Sequence, residues 1–218
     1  MDNTTLKANA AKIYIEGHRG GKLDYENTLP AFKQAIDHNL PGVEFDLWLT
    51  KDKIPVVIHG TEGAIGFKCE EAGVKEDDKI VELTLEQIKS VTLPNGERIP
   101  TFEELLQLCA KKLKLNIEIK DDNIEICKIV LDLLADFEVT NEYAWFTSFK
   151  YNILEEIKTL NPSFELGYLY KSDESMNSEF YPTHGDSCNI PYNHLTKELV
   201  EKCHENGLKV AIYYPKIC

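Results

Sequence analysis

The chain has 218 residues, 43% hydrophobic and 28% charged, a balance that excludes wholesale disorder and, at roughly 150 residues per domain, allows one large domain or two small ones. Its apolar runs are short, as in Val56-Val57-Ile58, and none approaches the roughly 20 residues that span a bilayer. With 24 basic and 37 acidic residues the net charge is −13, which excludes general binding of nucleic acid or anionic lipid and demands a local positive site for any anionic substrate.

The opening residues, Met1 to Lys7, lack the apolar core of a secretory signal. Six scattered cysteines (Cys69, Cys109, Cys127, Cys188, Cys203, Cys218) form no Cys-x-x-Cys pair, so reduced thiols and a cytoplasmic location are expected.

Two periods alternate along the chain. Lys12–Gly17 reads as a strand with Ile13 and Ile15 on one face. Thr28–Asn39 reads as a helix with Thr28 as N-cap, Pro30 in its first turn and a stripe of Leu29, Phe32 and Ile36. Val43–Leu49 and Ile54–His59 are strands. Residues 60–83 form an irregular insert within a single domain spanning 1–218. Thr84-x-x-Gln87 and Thr101-x-x-Glu104 are capping boxes that start helices, the second with Phe102, Leu105, Leu106 and Cys109 on its apolar side. Lys114–Lys120 is a strand. Asn123–Phe137 is a long helix with Ile124, Cys127, Leu131 and Leu134 aligned. Strand Tyr143–Ser148, helix Tyr151–Leu160 and strand Glu165–Tyr170 follow. Residues 171–186 form a loop. Strand Ser187–Pro191, helix Thr196–Asn206 with Gly207 as its left-handed stop, and strand Leu208–Tyr214 complete the pattern. Eight strands mostly alternating with helices imply parallel strands with helical crossovers, either a (β/α)₈ barrel or a doubly wound sheet.

In both architectures sites form at the carboxyl ends of the strands, and four successive strands carry ionisable residues there: His18-Arg19, Glu44-Phe45-Asp46, His59 and Glu118-Ile119-Lys120. Glu44 and Asp46, two apart, share one face of a strand, and Phe45 and Ile119 face covering helices. Three converging carboxylates repel unless a counter-charge is present, and a hard divalent cation such as Mg²⁺ or Ca²⁺ prefers oxygen ligands. Alone, each feature has an ordinary structural explanation: a solvated Glu-x-Asp face, an ion pair between Glu118 and Lys120, a core histidine. His38, His184, His194 and His204 lie on expected helices or loops and read as solvated.

The ordered set His18-Arg19-Gly20, Glu26-Asn27-Thr28, Glu44-x-Asp46, Thr50-Lys51-Asp52, Pro55-Val56-Val57-x-His59, Ile99-Pro100-Thr101, Glu118-x-Lys120 and Ser148-Phe149 resembles the glycerophosphodiester phosphodiesterases, strongly from about Ile13 to Phe149 and faintly thereafter. The resemblance implies an α/β fold, the TIM barrel of the phospholipase-C-like phosphodiesterases. It also implies metal-dependent hydrolysis of a small-molecule glycerophosphodiester to sn-glycerol 3-phosphate and an alcohol. By position, Glu44, Asp46 and Glu118 would hold one divalent cation, Mg²⁺ or Ca²⁺, His18 and His59 would be the acid/base pair, and Arg19 and Lys120 would contact phosphate. The sequence departs from the family in two places. Glycine, Gly60, follows His59 where the family carries aspartate, as also occurs in the related sphingomyelinase-D-like enzymes. Near the end, Val210 to Pro215 stands where the family has Trp-Thr-Val-Asn, with Tyr213 as the expected replacement pocket wall, and no Thr-Asp-x-Pro segment follows, so closure of the barrel there is an open expectation. These departures leave two alternatives: a lysophospholipase D that transfers phosphate to an internal hydroxyl, with Phe67, Trp48 and Tyr213 as its apolar hints, or a barrel that binds a glycerophosphodiester without turnover.

Overall fold

The structure, a computed structural model, describes residues 13–21, 25–171 and 185–214. Lys12, most of the expected 171–186 loop with His184, and Cys218 lie outside the described residues.

The described strands are β1 (Glu16–His18), β2 (Gly42–Leu49), β3 (Pro55–Val57), β4 (Lys114–Ile119), β5 (Ala144–Ser148), β6 (Leu166–Leu169), β7 (Ser187–Pro191) and β8 (Lys209–Tyr213). The described helices are α1 (Leu29–Asp37), α2 (Leu85–Ser90), α3 (Phe102–Cys109), α4 (Glu125–Asp136), α5 (Tyr151–Leu160) and α6 (Lys197–Glu205). The sheet order is β1-β2-β4-β5-β6-β7-β8, every neighbour on that path parallel, as helical crossovers require. The path is open among the described residues: it begins at β1 and ends at β8.

β3 departs from the expected arrangement. It lies off the path and pairs antiparallel with β2, Leu47 opposite Val57 and Leu49 opposite Pro55. The cause is the turn between them. Thr50 to Ile54 is far shorter than the dozen or so residues a parallel crossover needs. It closes as a hairpin, with Thr50 N–H donating to Ile54 O at 3.0 Å, Ile54 N–H donating to Thr50 Oγ1 at 2.9 Å, and Lys53 at φ 66°.

The first strand is also shorter than expected. Pairing with β2 starts at Glu16, opposite Gly42, so Ile13 and Ile15 stay largely exposed. The opposite face carries Glu16, which accepts from Asn116 Nδ2 at 2.7 Å and Trp145 Nε1 at 3.0 Å. Both capping boxes form. Thr28 sits at the start of α1 in extended conformation, but its hydroxyl donates to Tyr25 O rather than capping the helix. The face α1 buries is Ala31, Phe32 and Ala35, with Ile36 only partly covered. On α4 the buried set is Ile126, Cys127, Val130 and Leu134, whereas Ile124 precedes the helix and is exposed.

The main core lies between the parallel sheet and its helices. Phe45 on β2 packs against Phe32 of α1 and Phe102 of α3, with ring centroids 5.8 and 5.9 Å apart, each ring worth roughly 2–3 kcal/mol in burial. A second cluster gathers Val56, Ile58, Ile65, Val74, Ile80, Leu83, Ile88, Val91, Leu93 and Ile99, so the region expected to be an irregular insert folds around apolar residues of its own. The described cysteines are all free. No described helix is long and apolar enough to cross a membrane.

Candidate active site

Strand register assembles the carboxylates. His18 stands opposite Glu44, and Asp46 stands opposite Glu118 on the neighbouring parallel strand. Side chains two apart on β2 point to one face, so Glu44, Asp46 and Glu118 converge, with one oxygen of each within 4.8 Å of the others. All three are at most 9% exposed.

Cations and amides surround this cluster. Arg19 N–H donates to Glu44 Oε2 at 3.1 Å, and His18 Nε2 lies 3.7 Å from the same oxygen. Lys120 Nζ lies 3.0 Å from Glu118 Oε1 and 3.5 Å from Asp46 Oδ1. Asn27 Nδ2 donates to Asp46 Oδ2 at 2.9 Å, and Arg19 Nε lies 3.5 Å from that oxygen. Arg19 Nη1 donates to both oxygens of Glu26, at 2.8 and 2.9 Å. His59 is delivered by the hairpin rather than by a parallel strand: Ile58 N–H donates to Asp46 O at 3.1 Å, and Trp48 Nε1 donates to His59 O at 3.0 Å.

The turn of the β1–α1 loop depends on Gly20. Its φ is 92°, and a Cβ there would come within 2.9 Å of Ala31 Cβ on α1. Gly60 is likewise constrained. At φ 66°, a Cβ would lie 2.9 Å from both Ala64 O and Ile80 Cδ1. An aspartate there would force Ala64 O or the turn itself to shift.

Burial and like charge push the Glu44 carboxyl well above its ordinary range, with Asp46 and Glu118 as the repelling neighbours. Glu118 is pushed up to about 7 by burial and by Asp46. Burial also pushes Asp46 up, but Lys120, His59 and Arg19 outweigh it and hold Asp46 below its ordinary value. Burial and the neighbouring Arg19 lower His18. Burial, Lys120 and Arg19 lower His59 against the opposing pull of Asp46.

The donor set suits a hard cation. Glu44 Oε1, Asp46 Oδ1 and Glu118 Oε1 are all buried and left unsatisfied by hydrogen bonds, with the Lys120 ammonium as charge partner 3.0 Å from Glu118 Oε1 and 3.5 Å from Asp46 Oδ1. Buried carboxylate oxygens left so are costly, and a divalent ion would satisfy all three. Tyr213 reaches the far rim of the site. Its ring meets Phe149 edge-on at 6.2 Å, its hydroxyl donates to Tyr170 O at 2.6 Å, and burial with the nearby Glu118 charge pushes its phenol up to about 12.

Four participants have no assigned task in the sequence reading. Phe149 stands with Lys120 Nζ 5.8 Å and Lys171 Nζ 5.3 Å from its ring centre. Asp121, 4% exposed, accepts from Leu49 N–H at 3.1 Å and Asn123 N–H at 2.8 Å, tying the end of β2 to the loop that carries Lys120. Asn27 clamps Asp46. Tyr25 joins Phe67 in walling a cavity of about 280 Å³ beside Arg19, Asn27 and His59, together with Ile65, Leu93 and Ile99. Asn27 and Phe149 sit inside recognisable motifs, whereas Asp121 and Tyr25 carry no pattern that would single them out.

Comparisons with known proteins bear on the fold and the family. The profile of the glycerophosphoryl diester phosphodiesterase family matches residues 18–215. A glycerophosphodiester phosphodiesterase of Caldanaerobacter subterraneus subsp. tengcongensis is 31% identical over 221 residues, covering 91% of this chain and 84% of that protein. A Galdieria sulphuraria protein that bears the same name provisionally superimposes with a TM-score of 0.81 at 30% identity, covering 95% of this chain and 87% of the other. At 21% identity, an Oleispira antarctica phosphodiesterase solved with the product sn-glycerol-3-phosphate shares the fold, with a TM-score of 0.75 and coverage of 94% and 86%. The parallel α/β sheet is thus of the TIM-barrel type, and the chain belongs to the glycerophosphoryl diester phosphodiesterase family of hydrolases.

Proposed function

We propose that the chain hydrolyses glycerophosphodiesters to sn-glycerol 3-phosphate and an alcohol, using one divalent cation, Mg²⁺ or Ca²⁺, held by Glu44, Asp46 and Glu118. One observation carries this reading: three converging buried carboxylates, each with an oxygen lacking a hydrogen bond, ringed by two imidazoles, a guanidinium and an ammonium.

A bound divalent ion would neutralise phosphate charge and acidify the attacking water. The chain supplies the remainder. Arg19 has its Nη1 committed to Glu26, which fixes the guanidinium plane and leaves Nε, which makes no hydrogen bond, for a substrate oxygen. Lys120, beside Asp46 and Glu118, adds a point charge at the phosphate. His18 and His59 serve as base and acid: one imidazole removes a proton from the attacking water, whose oxygen forms the new bond to phosphorus, and the other, as imidazolium, protonates the departing alkoxide as its bond to phosphorus breaks. Burial favours the neutral imidazole in both, which suits the base role at neutral pH. Tyr213 and Phe149 form an aromatic wall next to Lys120.

The test is release of sn-glycerol 3-phosphate from glycerophosphocholine or glycerophosphoethanolamine by purified protein, with Mg²⁺ or Ca²⁺ and with chelator. Product that forms only with the metal supports the reading. Metal-loaded protein that turns over no glycerophosphodiester or lysophospholipid overturns it and favours a binding role without turnover.

The apolar cavity beside His59 favours one second reading, a lysophospholipase D acting on lysophospholipids. Phe67 and Gly60 both line that cavity. Product analysis separates the two readings, because a cyclic phosphate comes from transfer to an internal hydroxyl and not from direct hydrolysis.

A further inference from the structure

Asn27 is held in place by three features. Its backbone is left-handed at φ 57°, its N–H donates to Arg19 O at 3.0 Å, and its side-chain Nδ2 donates to Asp46 Oδ2 at 2.9 Å. The amide cannot be turned over, because that would set its oxygen against the Asp46 carboxylate. The residue is 3% exposed, yet its Oδ1 has no hydrogen-bond partner. Such an acceptor is costly to bury unless something fills it.

A donor without a hydrogen bond approaches the same Asp46 oxygen. Arg19 Nε is buried and makes no hydrogen bond, although it lies 3.5 Å from the Asp46 oxygen that Asn27 clamps. Both residues line the cavity that His59 also borders. A phosphate oxygen would satisfy Arg19 Nε but only repel Asn27 Oδ1, since both are acceptors. A hydroxyl satisfies the pair, because it donates to one and accepts from the other.

We infer that Asn27 is a specificity-determining residue whose Oδ1 accepts a hydrogen bond from a hydroxyl of the substrate's glycerol moiety, the same hydroxyl oxygen accepting from Arg19 Nε. The inference rests on the glycerophosphodiester reading and adds to it the group that reads the polyol. A substrate lacking that hydroxyl leaves two buried polar groups unpaired, and sites built this way discriminate strongly.

The test compares glycerophosphocholine with its two monodeoxy analogues, the phosphocholine esters of propane-1,2-diol and propane-1,3-diol, in the native chain and in Asn27→Gly. Glycine tolerates the left-handed backbone, so the variant removes the amide without adding strain there. The native chain is expected to prefer glycerophosphocholine over one analogue by about 10- to 100-fold in kcat/KM. In Asn27→Gly that preference collapses to within about threefold, whatever common loss the missing clamp on Asp46 inflicts on all three esters. A preference that survives in the variant, with all three rates lowered by one factor, overturns the inference and leaves Asn27 as a support for Asp46. Should the variant be too slow to assay, calorimetric binding of sn-glycerol 3-phosphate against propane-1,2-diol and propane-1,3-diol phosphates decides the same question: lost discrimination supports the inference and retained discrimination overturns it. Failure of the metal-loaded native chain on all three esters, and on glycerophosphoethanolamine and lysophospholipids as well, removes the phosphodiesterase reading itself, and this inference with it.

Discussion

Asp46 and Glu118 face each other across neighbouring parallel strands, yet their protonation is driven in opposite directions. Lys120, His59 and Arg19 hold Asp46 ionised against the effect of burial, while burial and Asp46 push Glu118 up to about 7. A carboxyl raised in the fold above its free value of 4.5 stabilises the protein below pH 4.5, and that contribution is lost as pH rises towards 7. The histidines, lowered from 6.5, contribute the opposite slope below pH 6.5, so the comparison needs a variant that isolates Glu118. In chelator, the native protein should lose stability relative to Glu118→Gln as pH rises from 4.5 to 7, on the order of 3 kcal/mol. Denaturant unfolding across that range checks it, and a difference that stays flat would contradict the assigned proximity.

Lys120 is the ammonium that reaches both carboxylates. Removing one partner of a largely buried ion group leaves charge uncompensated, so Lys120→Met should cost about 3 kcal/mol in metal-free protein. A divalent cation should restore much of that loss while turnover stays depressed. Thermal unfolding with and without Mg²⁺ or Ca²⁺, alongside the phosphodiesterase assay, reads both effects. Full activity in the variant would remove Lys120 from the phosphate site.

In the proposed reaction His18 and His59 act on protons rather than support the fold. The His18 side chain is 43% exposed, so His18→Ala and His59→Ala should each lower kcat by about 10²–10⁴-fold with little change in unfolding midpoint. Because both imidazoles are lowered from 6.5, the acid limb of kcat/KM should fall below pH 6.5 in the native enzyme. A limb above that value would assign the proton transfers to other groups.

Gly60 tests whether the family's aspartate is simply missing or is excluded. The turn holds φ 66° with Ala64 O and Ile80 Cδ1 at 2.9 Å from any Cβ, so Gly60→Asp should destabilise by about 1–3 kcal/mol and gain no activity. A stable variant with faster turnover would show that the loop can open to accept the side chain.

Much of this architecture is legible in the sequence. Ser187–Pro191 matches β7 residue for residue, and Thr84 and Thr101 announce their helices because a capping box is a local device with a local pattern. The convergence of Glu44, Asp46 and Glu118 follows from two-residue spacing once the strands are known to be parallel neighbours. The strand of β3 is also visible, but its direction is not read from its β-branched residues. The informative feature is the short turn through Thr50 and Asp52, which rules out a parallel crossover. Ile13 and Ile15 mislead for a related reason: strand composition does not say where pairing begins. Asn27, Asp121 and Tyr25 act through tertiary contacts across 19 and 72 positions or through a shared cavity, and no periodicity encodes those.

The central claim is that the three carboxylates hold one divalent cation between two imidazoles. Anomalous diffraction from crystals grown with Mn²⁺ or Ca²⁺ tests it most directly. The account predicts a single strong peak bonded to oxygens of Glu44, Asp46 and Glu118 at about 2.0–2.6 Å, with the rings of His18 and His59 flanking it. A peak elsewhere, or bonds to only one of the three carboxylates, would contradict it.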